Sequence, residues 1–229
     1  MRIDTRGRMC GLSLLGLAIL IIASNSPVMA QGAVAEQSGF IVACLNGTPV
    51  TRFLGSDKLG WNAGGGCCGL AAQNNVDDVS YIKGAVQFLA GRYGIDHSRI
   101  FGIGHSNGAM MTLRVICETG IYAAAVSISG TLNREHANCD AAKGSLVLAS
   151  HGNSDENVPI AGGPGTKGIS RAVYNSQQRT RQSFTDAGAA YTLRVVDGAD
   201  PALSRIEAAI ERTESRSIAE KAAQYFGLL

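Results

Sequence analysis

Between the short apolar run Ile100–Ile103 and an apolar stretch that opens at Asn107 stands Gly104-His105-Ser106-Asn107-Gly108. The pattern is G-x-S-x-G. It demands a strand, a sharp turn and a helix in immediate succession, with glycines where backbone and helix crowd each other. Such a turn holds a serine in a strained conformation with its hydroxyl exposed. The chemistry it points to is acyl transfer to water through a serine ester. The Asn107 N–H, at the start of the following helix, is the first donor expected for the developing oxyanion.

The remainder of the chain alternates in the same way. Phe40–Leu45 reads as a buried strand ending at Asn46-Gly47, and Thr51–Asn75 as a long glycine-rich loop. Asp77 and Asp78 open a helix running to about Tyr93, with acids at its positive end. After the serine turn come a helix over Asn107–Glu118, strands at Ala123–Ile128 and Ser145–Ala149, and a loop over Asn153–Ser170. A helix over Arg171–Ala187, a strand at Tyr191–Val196 and a helix over Leu203–Arg212 follow. Ser217 with Glu220 is a capping box for the last helix, and Gly227 is its stop signal. Alternation of this kind predicts an α/β fold: a mostly parallel sheet with helices on both faces.

The first 30 residues read as a secretory leader. Arg2, Arg6 and Arg8 precede the apolar run Gly11–Ala23, and the small residues Val28 and Ala30 suit cleavage after Ala30. The remaining 199 residues, 31–229, are expected to form one domain. Cleavage removes three Arg and one Asp, leaving 17 basic and 17 acidic residues from 20 and 18. A neutral domain gives no reason to expect nucleic acid, or a membrane once the leader is gone. The expected place is therefore secreted, extracellular or periplasmic. Five cysteines follow the leader (Cys44, Cys67, Cys68, Cys117 and Cys139), an odd number that leaves one out of any set of internal disulfides. Cys67-Cys68 is adjacent rather than C-x-x-C, so no metal site is expected.

Longer motifs surround the serine turn. They are Gly39-Phe-Ile-Val with Asn46-Gly-Thr, Trp61-Asn-Ala-Gly-Gly-Gly-Cys-Cys-Gly69, Val76-Asp-Asp-Val79, Gly104 to Met111, and His151-Gly-Asn-Ser-Asp155. From Gly39 onward the chain resembles the secreted polyhydroxybutyrate depolymerase and feruloyl esterase group of α/β-hydrolases. The resemblance implies an ester substrate (a polyester, phenolic ester or small acyl ester), a Ser-Asp-His triad and no cofactor. It implies Ser106 as nucleophile and Asp155 as acid, with Asp197 and Asp200 as alternatives. Trp61 is either plain packing or a substrate-binding aromatic wall, and Asn62 with the surrounding glycines favours the rim of the cleft. The sequence does not fix the disulfide pairing; one expectation is that Cys67 or Cys68 ties that loop to Cys117.

Two departures stand out. The resemblance puts the histidine base where Pro201 stands, and no histidine follows His151. Of His97, His105, His136 and His151, the last is the best candidate for a rescue base, because it sits at the right strand end. His105 is expected to point away from the site. The family also carries further strands before Phe40 with a second oxyanion donor. Gln31–Ser38 is too short to hold them, so the sheet is expected to lack its first strands and to expose an edge open to dimerisation or aggregation. Two readings follow: a serine esterase, or an inactive homologue that binds esters or is a truncated product.

Overall fold

The computed structural model describes residues 19–23, 40–51, 58–134, 138–167 and 172–229. Its centre is a six-stranded, wholly parallel sheet. The strands are β1 (Ile19–Ala23), β2 (Ile41–Cys44), β3 (Ile100–His105), β4 (Ala124–Ile128), β5 (Leu146–Gly152) and β6 (Ala190–Val196), in the spatial order β6-β5-β4-β3-β1-β2. The helices are α1 (Gly69–Gln73), α2 (Asp78–Tyr93), α3 (Asn107–Thr119), α4 (Gln177–Asp186), α5 (Leu203–Glu214) and α6 (Ile218–Tyr225).

Strand alternation divides the apolar residues between two cores. Phe101 and Ile103 of β3 and Ala124, Val126 and Ile128 of β4 face one side, where α5 and α6 contribute Ile206, Ile210, Ile218 and Ala222. Phe101 stacks on Phe226 there, with ring centroids 4.6 Å apart. Ile100 and Ala125 turn to the other side and meet Ile82 and Val86 of α2, Leu113 and Ile116 of α3, and Phe184 of α4. Each such side chain taken fully from water contributes roughly 1.5–3 kcal/mol, so the period-2 pattern selects this register over a one-residue slip.

Local signals set the helix ends. The Asp77 carboxylate accepts the Ser80 N–H at the start of α2, and Gly94 closes it in the left-handed region at φ 61°. Ser217 and Glu220 form the reciprocal capping box of α6.

Several boundaries differ from expectation. The region 51–75 is not all loop: Leu59–Gly60 pairs with Thr48–Pro49, and α1 follows. Helix α4 starts at Gln177, not Arg171, because Val173–Tyr174 pairs with Gly163–Pro164 and Ser176 then caps the helix through the Arg179 N–H. The Cys117 partner is Cys139, not Cys67 or Cys68, because α3 brings Cys117 beside the turn at Cys139, 22 residues on in the chain. Cys67 and Cys68 are joined to each other, and Cys44 belongs to neither bridge.

A strand does precede β2. Residues 19–23, within the run read as a leader, lie between β2 and β3 and pair with both. The rest of that leader, with its cleavage point at Ala30 and the segment Gln31–Ser38, lies outside the described residues, as does His136. No described helix is long and apolar enough to cross a membrane.

Candidate active site

Ser106 sits between the last residue of β3 and the first of α3, at φ 54° and ψ −122°. A non-glycine residue at positive φ is strained by about 1–3 kcal/mol. The neighbours enforce that conformation. The Ser106 N–H donates to the Ile128 carbonyl at 2.8 Å, and the Ser106 carbonyl accepts from Met110 at 3.1 Å. A Cβ on Gly104 would run into the Gly108 carbonyl, and one on Gly130 would sit 2.6 Å from the Ala109 Cβ. The sharp turn therefore needs glycine at both places.

The serine is partly exposed and opens into a cleft of about 310 Å3. Val50, Leu59, Met110, Val158 and Tyr174 give it an apolar lining, with Cys67, Cys68 and Asn107 beside the serine. Asn107 opens α3, so its N–H belongs to the first turn, where backbone donors have no helical acceptor. That leaves it available to an anionic oxygen. Among the described residues we identify no second donor of this kind.

The Asn107 side chain has a different task. Its Oδ1 accepts the Trp61 N–H at 2.7 Å, and its Nδ2 donates to the Trp61 carbonyl at 3.1 Å. Arg114, two turns further along α3, donates to the Asn62 carbonyl at 2.6 Å, and the Asn62 N–H donates to Asp78 at 2.7 Å. The 61–68 loop is thus fixed by polar bonds to α2 and α3. Trp61 itself is not the expected cleft wall. Only 4 % exposed, it belongs to the core, where it stacks near Tyr81 at 6.2 Å. An indole with this much apolar area is held inside when its backbone is clamped. Cys67, Cys68 and Gly60 take its place along the cleft.

Asp155 lies in the turn after β5. Its Oδ1 accepts from the Asn157 and Val158 N–H groups, both at 2.9 Å. Its Oδ2 is buried and has no hydrogen-bond partner. An acceptor without a hydrogen bond costs about 1–3 kcal/mol, and the polar group beside this one is His151, with Nε2 3.3 Å away.

His151 stands beside that oxygen and is held by other groups as well. It is wholly buried, and both ring nitrogens are engaged. Nε2 donates to the Val158 carbonyl at 2.8 Å, and Nδ1 accepts from the Gln177 amide at 2.7 Å. Nε2 lies 3.3 Å from Asp155 Oδ2, with its proton already directed at Val158. Gln177 also donates to the Gly130 carbonyl at 2.8 Å and accepts from the Tyr191 hydroxyl at 2.7 Å. The four groups form a buried network that braces the floor beside the elbow. Sequence reasoning missed Gln177 and Tyr191, since a glutamine opening a helix and a tyrosine in a strand carry no signal of their own.

The turn at Pro201 is held against the segment that leads into Asp155. The Ser154 N–H donates to the Ala199 carbonyl at 3.1 Å, and Asn153 bonds to Asp197 at 2.9 Å and to the Gly198 N–H at 2.8 Å. His105 points away from the cleft, as expected from its place in the elbow, and its Nε2 donates to the Pro201 carbonyl at 2.8 Å. Burial lowers the His105 pKa, against opposing effects of that hydrogen bond and the Asp155 charge. His105 therefore ties the elbow to the backbone at position 201. His97 lies in the short turn before β3, at the far end of the sheet. Asp197 and Asp200 are spent locally, on Asn153 and on Arg205 and the Ala202 N–H.

A parallel sheet covered on both faces, with a serine elbow where a middle strand enters a helix, defines an α/β-hydrolase. Residues 80–195, 116 of the chain's 229, match the phospholipase/carboxylesterase family. The chain belongs to that family, in the esterase branch of the superfamily.

Solved structures agree on the fold. The carboxylesterase of Bacillus cereus superposes with a TM-score of 0.63 at 16% identity, covering 90% of this chain and 88% of that one. SOBER1 of Arabidopsis thaliana gives 0.58 at 17% identity, covering 86% and 99%. A carboxylesterase from Mesorhizobium loti gives 0.60 at 15% identity, covering 89% and 90%. No protein of curated function is matched by the sequence.

Proposed function

We propose that the chain is a carboxylic ester hydrolase acting through Ser106. The observation that carries this is the strained Ser106, held by Gly104, Gly108 and Gly130 at the mouth of an apolar cleft. In this reading Ser106 Oγ attacks the ester carbonyl carbon and its proton passes to solvent. The Asn107 N–H holds the oxyanion, the alcohol departs, and water releases the acid and restores the serine. Asp155 stands as the acid of a triad that lacks its base, so turnover is slow. General-base catalysis typically contributes about 10²–10⁴-fold. The polyhydroxybutyrate depolymerase and feruloyl esterase group is the parent type we propose, on the strength of the Trp61–Gly69 and His151–Asp155 motifs.

A second reading is an ester-binding homologue without turnover. It is favoured by Pro201 in the base position and by the engaged nitrogens of His151. Hydrolysis of p-nitrophenyl acetate and butyrate separates the two. Activity lost in Ser106→Ala supports the esterase. Equal rates for parent and Ser106→Ala, together with saturable ester binding, support the binding protein.

We further propose export, with cleavage after Ala30 leaving residues 31–229 as one domain. The Cys117–Cys139 disulfide supports an oxidising compartment. Cleavage there also removes β1, which links β2 to β3. β2 then loses its neighbour, and the opened edge invites pairing between chains. N-terminal sequencing of exported protein should read Gln31; a retained Met1 rules the cleavage out.

A further inference from the structure

The cleft that opens on Ser106 carries charge of one sign. Lys58 and Lys167 are among its lining residues, and no carboxylate of the described residues lines it. The amino end of the 13-residue helix α3 adds a partial positive charge beside Ser106. Lys58 is exposed. Lys167 is also exposed and pairs with Glu156, whose carboxylate is likewise at the surface. Surface pairs of this kind are weakly held, so Lys167 can exchange partners. The Asp155 carboxylate is buried behind the cleft and bonded to backbone N–H groups.

The rest of the cleft is apolar. Val50, Leu59, Met110 and Tyr174 offer surface to a short hydrocarbon chain. A volume of about 310 Å3 suits a small ester, at the lower end of the range for ligand pockets. An apolar channel with a cationic rim and a nucleophile calls for an ester on a short alkyl arm that ends in an anion.

We infer that the Ser106 cleft selects esters bearing a free carboxylate, such as half-esters of short dicarboxylic acids. This rests on reading the cleft as the ester site. The ester carbonyl sits at Ser106, the alkyl arm lies along Met110 and Leu59, and the carboxylate meets Lys58 and Lys167. One exposed ion pair changes affinity by up to about five-fold. The expected preference over a neutral isostere is therefore about three- to ten-fold, and it weakens with salt.

The test uses Ser106→Ala, so that ligands are bound and not consumed. Calorimetric titration compares monomethyl glutarate with dimethyl glutarate at low ionic strength. The half-ester should bind about three- to ten-fold more tightly, and the preference should shrink in 0.5 M sodium chloride. It should fall in Lys58→Met and in Lys167→Met, and reverse in a Lys58→Glu, Lys167→Glu double variant. Circular dichroism checks that each variant is folded. Equal affinity for the two esters overturns the inference, as does a preference that survives both lysine substitutions. Absence of hydrolysis in the Ser106 parent counts against the esterase reading alone, because these binding results do not depend on turnover.

Discussion

The side-chain amide of Asn107 closes on the Trp61 peptide from both directions, accepting its N–H at 2.7 Å and donating to its carbonyl at 3.1 Å. The residue after the serine thus ties helix α3 to the loop that borders the cleft. Asn107→Ala removes two largely buried hydrogen bonds and strands their partners, a loss of about 2–3 kcal/mol. Asn107→Asp keeps the acceptor and should lose less. Trp61 is the single tryptophan of the chain. Its emission should shift to the red in Asn107→Ala, and an unchanged spectrum and midpoint would show that the clamp is not required.

Strain at Ser106 has its own signature. Glycine adopts φ 54° without a Cβ penalty, so Ser106→Gly should be more stable than Ser106→Ala by about 1 kcal/mol. Denaturant midpoints of the two variants measure the difference directly. A Ser106→Gly protein no more stable than Ser106→Ala would mean that the turn is relaxed.

Pro201→His places an imidazole on the turn that is pinned to Gly152–Ser154, near Asp155 Oδ2, which accepts no hydrogen bond. The His105 bond to residue 201 uses the backbone carbonyl, so the substitution leaves it intact. Ester hydrolysis should rise by about 10²–10⁴-fold if the missing base is the chief deficit. A smaller rise would point instead to the second oxyanion donor, whose loss is worth about 3–4 kcal/mol.

His105 makes stability depend on pH in a defined window. Burial holds its folded pKa below the ordinary 6.5. Above 6.5 the ring is neutral in both states. As pH falls below 6.5 the unfolded chain takes up the proton first, so folding stability declines until the folded pKa is passed. His105→Gln retains a donor for the Pro201 carbonyl and removes the titration. Its stability between pH 6.5 and 5 should be flatter than the parent's. The carboxylates at Asp77, Asp96 and Glu220, all lowered by hydrogen bonds to nearby serines, act only at more acid pH.

The Cys117–Cys139 bridge closes a loop of 22 residues between α3 and the turn before β5. A Cys117→Ser, Cys139→Ser double variant should lose about 3 kcal/mol, mainly through the freer unfolded chain. Thermal unfolding with and without reductant checks this. Reductant should lower the parent toward the double variant and leave the variant unmoved.

Much of the fold was legible from local chemistry. Capping acids at Asp77, the Ser217–Glu220 box, the apolar strands and the glycine-bounded serine are all short-range signals, written within a few residues of where they act. The start of α4 was not, because the pairing of Val173 with Pro164 competes with helix propensity across the chain. The Cys117 partner was misplaced for the same reason: nothing near Cys117 announces Cys139.

By itself the sequence determined the class, a parallel α/β sheet with a serine elbow, and showed that no histidine follows His151. Only the tertiary structure decided what the site residues are free to do. It turned Trp61 inward, consumed both nitrogens of His151 and left Asp155 Oδ2 without a hydrogen bond. Those outcomes depend on groups far apart in the chain, Gln177 with His151 and Asn107 with Trp61, that burial compels to satisfy one another.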